Sequence, residues 1–328
     1  MNKDSVSSFE KKSVPVSVVV PTYQRGAALL RTLRRLLELT SPPAEILAVD
    51  QTGEHPDDVR RELEKMEASG AVRIIRLACP SIPRAMNAGL RAAKGPIVLF
   101  LDDDIIPSPG LIAAHASARD GTCAAVCGQV LQPEDAEQRT EDRERRTEIR
   151  EHKTAGRLRR DLDFKFNGTT PAWIENVMAG NLSVSREAAL AVGGFDENFI
   201  PPVSFRFETE FARRLIAAGC KIRFAPEASI QHLRLSTGGT RSQGSHMASF
   251  SPLHGVGDYY YALRCGKGLD RVLYILRRPF REVRTKFHLS HPWWIPVKFI
   301  GELRAMALAF RLCREGPRLL PPAQDGGR

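Results

Sequence analysis

The sequence predicts an α/β fold, in which a mostly parallel sheet is flanked by helices, with a C-terminal helical extension. Short apolar, β-branched runs alternate with segments of helical periodicity over about the first 100 residues. Strands and helices that alternate in this way build parallel sheets through right-handed crossovers. The last quarter of the chain interleaves aromatic and basic residues in a pattern typical of amphipathic helices.

Four strands are predicted by apolar runs that end at proline, glycine or charged residues. These runs span residues 16–20, 45–49, 72–77 and 97–101. After the first run, Leu29, Leu33, Leu36 and Leu37 repeat at helical spacing, and two prolines stop that helix. Two further helices are predicted at residues 57–70 and 81–95, so that each crossover between the four strands contains a helix.

The chain divides into regions of different composition. Residues 1–13 are predicted to form a disordered tail, and residues 14–250 the main α/β domain. Within that domain, residues 133–163 are densely charged with almost no apolar side chains, so they cannot bury a core of their own. We expect a mobile loop there. Residues 251–328 form the basic amphipathic extension.

The composition indicates a folded cytoplasmic protein. With 42% hydrophobic residues among 328, the chain can bury a large core. Its six cysteines are widely spaced and form no C-x-x-C pair, which favours reduced thiols over a zinc or redox site. The N-terminus lacks the apolar stretch of a secretory signal, and no run reaches the roughly 18 apolar residues of a membrane span.

Most of the net positive charge lies in the extension. The whole chain carries +10, and residues 251–328 hold 14 Lys and Arg against 6 Asp and Glu. Basic amphipathic helices bind anionic lipid, so we expect docking on the inner face of the cell membrane. The aromatic residues expected to enter the lipid are Trp293, Trp294, Phe299 and Phe310. A helical cap on the core is the alternative. Nucleic acid explains the charge less well and is not predicted as a partner.

Three consecutive carboxylates follow the fourth predicted strand. The run at residues 97–101 leads directly into Asp102, Asp103 and Asp104, at the sheet edge where ligands of parallel sheets collect. Their mutual repulsion calls for a cation, and oxygen ligands suit Mn²⁺ or Mg²⁺. Such a metal can bind a diphosphate and stabilise its charge as a leaving group. A solvated acidic turn is the alternative without function.

Four motifs appear in an order that resembles glycosyltransferase family 2. They are VVVPTYQR, AVDQTG, PRAMNAGL and LFLDDDIIP, and the resemblance covers roughly residues 14–235. It implies the GT-A fold, which is Rossmann-like, and a nucleotide-sugar donor. It further implies an inverting transfer of the sugar to an acceptor hydroxyl.

The resemblance also assigns the donor side of the site. Residues expected to bind the nucleotide and its phosphates are Pro21, Thr22, Tyr23, Asp50, Arg84, Asn87, Asp102 and Asp103. Metal ligands are expected to be Asp104, Asp102 and His232, with Mn²⁺ or Mg²⁺ as the cofactor. Asp50 is expected to accept hydrogen bonds from the base. For Arg84 and Asn87, a structural role is equally compatible with the pattern.

The acceptor side is assigned less directly. Gly180 and Asn181 match the family's segment near the acceptor sugar. The family places an acidic pair before a helix, and its second member is the general base. Here Phe207 replaces the first member and Glu208 is the expected base, with Glu210 as the alternative. A carboxylate in the first turn of a helix, such as Glu210, commonly stabilises the helix dipole without chemistry.

The expected function is therefore sugar transfer to a glycan or lipid-linked acceptor, in polysaccharide or glycolipid assembly. Two alternatives remain open from the sequence. Loss of the acidic residue at Phe207 fits a catalytically silent nucleotide-sugar-binding module. A sugar nucleotidyltransferase would share the fold and the acidic ligands, but PTYQRG is not its glycine-rich basic loop. A nicotinamide oxidoreductase is disfavoured because only Gly26 follows the first strand.

Overall fold

The computed structural model describes residues 15–119, 123–133, 158, 164–201, 204–235, 238–239 and 247–321. The predicted tail at residues 1–13 and nearly all of the charged segment at residues 133–163 lie outside these residues. Over the described part of the chain, nine strands form one sheet. They are β1 Val16–Thr22, β2 Glu45–Asp50, β3 Arg73–Arg76, β4 Ile97–Leu101, β5 Ile105–Pro107, β6 Cys123–Leu131, β7 Ala172–Ile174, β8 Asn181–Ser185 and β9 Lys221–His232.

The helices follow the predicted alternation and then form the extension. The described α-helices of the main domain are α1 Gly26–Leu37, α2 Asp57–Ala68, α3 Ile82–Ala92, α4 Leu111–Ser117, α5 Arg186–Ala191 and α6 Phe207–Ala217. Those of the extension are α7 Val256–Cys265, α8 Gly268–Glu282, α9 Lys286–Ser290 and α10 Trp294–Glu315. In α1, Leu29, Leu33 and Leu36 are fully buried, whereas Leu37, which the pattern also included, is 39% exposed.

The sheet has a parallel half and a mixed half, in the order β3-β2-β1-β4-β8-β6-β9-β5, with β7 paired to β9. Strands β3, β2, β1 and β4 are parallel, and Val19 of β1 lies between Leu47 of β2 and Phe100 of β4. This register brings the carboxyl ends of β1 and β4 to one edge. The predicted α/β fold is confirmed. Its antiparallel pairings, such as Leu101 opposite Asn181, lie beyond β4.

The extension is packed onto the main domain as a helical cap. Tyr259, Tyr260 and Tyr261 of α7 are fully buried. The Tyr260 hydroxyl donates to Asp196 Oδ2 at 2.8 Å and accepts from Asn198 Nδ2 at 3.1 Å, and both partners belong to the main domain. Because large aromatic side chains bury much apolar area, these contacts stabilise the association of the two regions.

A buried ionic cluster reinforces this packing. Asp258 of α7 accepts hydrogen bonds from Arg206 Nε at 3.0 Å, the Tyr274 hydroxyl at 2.8 Å and Arg281 Nη2 at 3.0 Å. Arg278 also donates to this carboxylate. Burial raises the pKa of Asp258, but the surrounding arginines and the tyrosine lower it to about 2 overall. The carboxylate is therefore ionised and paired.

The last described residues return to the sheet domain. The backbone N–H of Leu320 donates to Gly193 O at 2.8 Å, and that of Glu197 donates to Arg318 O at 3.0 Å. The Arg318 N–H donates to Asp196 Oδ1 at 3.0 Å. Gly193 has a φ of 81°, a conformation that favours glycine. We call residues 318–320 the closing segment.

None of the described helices is both long and apolar enough to cross a membrane. The 22-residue α10 carries buried polar side chains on its inner side, including Lys298 and Glu302, which form an ion pair at 3.1 Å. The inner face of α10 therefore packs against the rest of the protein.

Candidate active site

A cleft of about 300 Å³ opens at the carboxyl edge of β1 and β4. Its walls come from the end of β1 and the loop after it, from the acidic loop Asp102–Asp104 after β4, and from the first turn of α6. Because β1 and β4 are parallel neighbours, the loops that follow them meet here. The predicted sites on these loops therefore face one another.

The acidic loop presents its three carboxylates in different environments. The Asp102 side chain is 48% exposed, whereas those of Asp103 and Asp104 are buried. Asp103 accepts from Thr22 Oγ1 at 2.7 Å and from Arg25 Nη1 at 3.1 Å. Burial raises the pKa of Asp103 to about 6, although the hydrogen bond from Thr22 and the charge of Arg25 lower it. Asp103 thus anchors the loop to β1.

Asp102, Asp104 and His232 converge on one point. Their nearest ligand atoms lie within 4.8 Å of one another. His232 Nε2 is 3.1 Å from Asp104 Oδ1 and 3.7 Å from Asp102 Oδ2. Apart from this approach, the buried Oδ1 of Asp104 has no hydrogen-bond partner among the described residues. Two carboxylates and an imidazole fit a divalent cation such as Mn²⁺.

The residues around this cluster orient His232 and keep Asp104 ionised. The Nδ1 of His232 lies 3.1 Å from Gln132 Oε1, and this contact orients the ring with Nε2 toward Asp104. Asp104 Oδ2 accepts from the Leu235 N–H at 3.0 Å. Burial raises the pKa of Asp104, but the contacts with His232 and Leu235 outweigh it and lower the pKa overall. Asp104 is therefore an ionised ligand.

Arg25 belongs to the site although the sequence did not single it out. Its Nη1 lies 3.1 Å from Asp103 Oδ1 and 3.2 Å from Asp104 Oδ2, and Nη2 donates to Leu235 O at 3.3 Å. Its guanidinium thus offsets part of the negative charge of the acidic loop. Its place in the loop directly after β1 was the available signal, because that loop must border the cleft.

Glu208 lies in the first turn of α6 and lines the cleft. Its Oε2 accepts a hydrogen bond from the Ala179 N–H at 3.2 Å. Burial raises the pKa of Glu208 to about 7; the Ala179 hydrogen bond lowers it, and the charge of Asp102 raises it further. A carboxylate with this pKa can accept a proton near neutral pH.

Glu210 occupies a different environment. It is 1% exposed and pairs with Arg214 through two hydrogen bonds, each 2.8 Å long. It does not line the cleft. Of the two predicted candidates for the base, the structure therefore brings Glu208 to the cleft and places Glu210 in a helix-stabilising ion pair.

Several further predicted residues line the cleft. They are Pro21, Thr22, Tyr23 and Gly180. Gly180 touches the acidic loop so closely that a Cβ at this position would lie 2.2 Å from Asp102 Oδ2. Its carbonyl also accepts from the Asp102 N–H at 3.3 Å. Only glycine permits this approach without displacing the carboxylate.

Asp50 lies just outside the cleft and Gln51 lies within it. Asp50 Oδ2 contacts His55 Nε2 at 2.7 Å, and its Oδ1 accepts from the Thr52 N–H at 3.0 Å. Gln51 lines the cleft, where its Oε1 accepts from the Ser81 N–H at 2.5 Å. Of these two neighbours, Gln51 is the one that lines the cleft.

The remaining predicted residues are not brought to the cleft. Arg84 is half-exposed and lies 3.5 Å from Glu197. Asn87 is buried, and its side chain donates to Phe195 O and accepts from Phe195 N, both at 2.8 Å. These contacts use its amide to fix the loop after α5. Asn87 does not line the cleft.

Asn181 also has a structural place. It is fully buried at the start of β8, and its Nδ2 donates to Gln129 O at 3.0 Å and to Ala228 O at 2.8 Å. Its Oδ1 lies 2.8 Å from His115 Nε2. The amide satisfies backbone groups where β8, β6 and β9 come together. Of the two residues predicted for the acceptor side, Gly180 lines the cleft and Asn181 does not.

The chain is similar in sequence to known glycosyltransferases. The model of the family described as glycosyl transferase family 2 matches residues 17–180, half of the chain. The validoxylamine A glucosyltransferase of Streptomyces hygroscopicus subsp. limoneus is 26% identical over 208 residues. That match covers 56% of this chain and 44% of the relative, so the chain spans less than half the length of this curated relative.

Solved structures show the same fold. S. aureus TarS in complex with UDP-GlcNAc matches with a TM-score of 0.55 at 16% identity, over 90% of this chain and 83% of that one. The mannosyltransferase PcManGT from Pyrobaculum calidifontis, in complex with GDP-Man and Mn²⁺, matches with a TM-score of 0.51 at 18% identity, over 92% of this chain and 79% of that one. These likenesses confirm the predicted GT-A fold.

Proposed function

Because the chain belongs to glycosyl transferase family 2, we propose that it transfers a sugar from a nucleotide-sugar donor to an acceptor hydroxyl. One observation carries the proposal. Asp102 and His232, which form a cation cluster with the buried Asp104, border the same cleft as the carboxylate of Glu208. A donor diphosphate bound at the cation cluster and an acceptor bound at Glu208 would place the sugar between them.

The cluster is suited to a divalent cation as cofactor. Asp102, Asp104 and His232 would hold Mn²⁺ or Mg²⁺, and the bound cation would neutralise the donor diphosphate as its negative charge grows. Two of the structurally similar glycosyltransferases were solved with Mn²⁺. Thr22, Arg25 and Gln51 lie beside this cluster and would contact the nucleotide or its phosphates.

Glu208 is proposed as the general base. It takes the proton of the acceptor hydroxyl while the acceptor oxygen forms its bond to the anomeric carbon, and the bond from that carbon to the diphosphate oxygen breaks. The nucleoside diphosphate leaves from the opposite side, so the configuration of the anomeric carbon is inverted. The pKa of about 7 supports this role at neutral pH.

A glycan or a lipid-linked glycan is the proposed acceptor, in the assembly of a polysaccharide or glycolipid. The donors named with the structural relatives are GDP-Man and UDP-GlcNAc, and the sequence relative is named a glucosyltransferase. These are hexose-type donors with different bases, so they support a nucleotide-sugar in general and leave the base to experiment.

A donor screen tests the proposal. UDP-, GDP- and dTDP-sugars are incubated with the protein with and without Mn²⁺, and release of nucleoside diphosphate is measured. Asp104→Ala and Glu208→Gln should abolish release, whereas Glu187→Gln, an exposed carboxylate at the start of α5, should retain it. Binding of a donor without any release would identify a silent binding module. Formation of a nucleoside triphosphate and a sugar 1-phosphate when pyrophosphate is added would identify a nucleotidyltransferase.

A further inference from the structure

The extension presents an apolar stripe along one side of α8. Four of its large apolar side chains are between 46% and 69% exposed, namely Leu269, Val272, Leu276 and Phe280. Their spacing of three and four residues puts them on one face of the helix. The inner side of α8 is buried through Tyr274, Ile275 and Arg278. The helix therefore satisfies its contacts with the protein while leaving a second apolar face uncovered.

The neighbouring helix α10 has a matching stripe. Trp293, just before the helix, and three residues within it are between 47% and 64% exposed: Ile300, Leu303 and Phe310. The inner side of α10 buries Glu302, Ala305 and Ala309. Again the exposed apolar residues are opposite the side that packs on the protein.

The two stripes meet in one surface. The rings of Phe280 on α8 and Phe299 on α10 pack edge to face with their centroids 5.6 Å apart. Leu289 of α9, between the two helices in the chain, is 80% exposed. We call these exposed residues of α8, α9 and α10 the apolar face. An apolar patch on several adjacent elements marks an interaction surface more often than scattered residues do.

Arginines border the apolar face. Arg277 lies on α8 and Arg284 just after it, and Arg304 and Arg314 lie on α10; all four are exposed. The acidic residues of the same helices are largely engaged: Glu302 is buried with Lys298 and Arg278, and Glu282 pairs with Arg281. The rim is therefore strongly positive, and it would repel the identical rim of a second copy placed face to face on it.

We propose that the apolar face lies on the surface of an anionic lipid bilayer, with α8 and α10 in the plane of the membrane. The apolar side chains enter the boundary between headgroups and acyl chains, and the arginines contact lipid phosphates. Trp293 is suited to this depth because its ring is amphipathic. The inference goes beyond the proposed sugar transfer and is independent of the donor.

Vesicle binding tests the inference with the full chain. Phosphatidylcholine vesicles with and without phosphatidylglycerol are sedimented with the protein at low and at high salt. We expect binding that requires the anionic lipid and weakens with salt. Arg277→Gln with Arg314→Gln should lower partitioning about fivefold per arginine. Leu276→Glu with Leu303→Glu should abolish binding, since both side chains are exposed and their replacement leaves the core intact.

The control substitutions are on α1, which is not part of the apolar face. Leu37→Glu and Arg31→Glu replace exposed residues of the same kinds and should bind vesicles like the original chain. A second readout uses Trp173→Phe, which leaves only Trp293 and Trp294 to report a blue shift of emission when vesicles are added. Equal sedimentation with both lipid mixtures, or unchanged binding by the Leu276 and Leu303 pair, overturns the inference. A dimer in solution that this pair dissociates also overturns it, because the face then binds a second copy.

Discussion

Arg206 Nε donates to Asp258 Oδ1 at 3.0 Å and thereby connects the helical cap to the residue that begins the base-bearing helix. Arg206 caps the N-terminus of α6 with a φ of 75°, two residues before Glu208. Asp258 lies in the first turn of α7. The charge of Arg206 also lowers the pKa of Glu208. The ion pair between Asp258 and Arg206 therefore links the helical cap to the segment that carries the proposed base.

Replacing Arg206 by glycine removes the charge of its side chain while keeping the backbone conformation. Glycine adopts a positive φ without strain, so the backbone before α6 should be kept while the guanidinium is lost. The pKa of Glu208 should rise, and the acid limb of kcat/KM should move to higher pH. Arg84→Gln removes an arginine that lies outside the cleft and should leave the limb in place. If the acid limb of the kcat/KM profile does not move in Arg206→Gly, the ion pair contributes to packing alone.

The two glutamates of α6 should respond differently to substitution by glutamine. Glu208→Gln removes the proposed base, and kcat should fall by roughly 10²- to 10⁴-fold with little loss of stability. Glu210→Gln leaves Arg214 without its carboxylate, which should cost about 3 kcal/mol of unfolding free energy while kcat is largely kept. Steady-state kinetics and urea unfolding of both variants check this. The reverse pattern would assign the base to Glu210.

The raised pKa of Glu208 predicts two pH dependences. The base must be ionised, so kcat/KM should fall about tenfold per pH unit below about pH 7. The folded protein also holds this proton more tightly than the unfolded chain does, whose Glu pKa is near 4.5. Ionised Glu208 therefore destabilises the fold progressively as the pH rises from about 4.5 to 7.

It follows that Glu208→Gln should unfold at a higher temperature than the original chain at pH 8. At pH 4 the two should unfold at similar temperatures, because the carboxyl group is then protonated in both states. Thermal unfolding at the two pH values measures the difference. A lower Tm for the variant at pH 8 would mean that ionised Glu208 stabilises the fold.

The contact of Gln132 with His232 predicts an effect on metal affinity. Without the Gln132 oxygen, Nδ1 of the imidazole is no longer oriented and Nε2 no longer points reliably at the acidic loop. Gln132→Ala should weaken Mn²⁺ binding by about 10- to 100-fold. The signal of free Mn²⁺ in electron paramagnetic resonance gives the affinity directly. Gln231→Ala, an exposed neighbour of His232 on β9, should bind Mn²⁺ normally.

The close approach of Gly180 to Asp102 predicts that alanine is not tolerated there. Its methyl group would lie 2.2 Å from Asp102 Oδ2, so the carboxylate must move. Since small displacements of positioning groups are costly, kcat/KM should fall by about 10²-fold. Gly53→Ala adds a methyl group with no atom within 4 Å and should be neutral. Normal Mn²⁺ binding and turnover in Gly180→Ala would contradict the tight packing.

The sequence predicted the four parallel strands β1 to β4 and the acidic loop because both depend on local patterns. Apolar runs that end in charged residues locate the edge of a parallel sheet, and Asp102 to Asp104 follow one directly. The sequence singled out Asp50 for the cleft and not its neighbour Gln51. Successive side chains of a strand point to opposite faces, so an uncertainty of a single position decides which side chain enters the cleft.

The roles of Asn87 and Asn181 required the tertiary structure. A buried amide that satisfies backbone groups and an amide that binds a ligand look the same in a sequence. Arg25 was missed for a related reason, since its partners Asp103 and Asp104 are 78 and 79 positions away in the chain. The buried ionic cluster around Asp258 likewise brings distant residues together, and helical periodicity alone showed only that α8 is amphipathic.

The closing segment brings the described chain from the cap back to the sheet domain. Leu320 hydrogen-bonds to a turn of the sheet domain after the chain has traversed all of the cap. Removing the cap would strip Gly193 and Asp196 of partners and uncover the tyrosines of α7. The main domain and the extension are therefore expected to unfold in a single cooperative transition. The boundary at residue 250 thus does not separate two independent folding units.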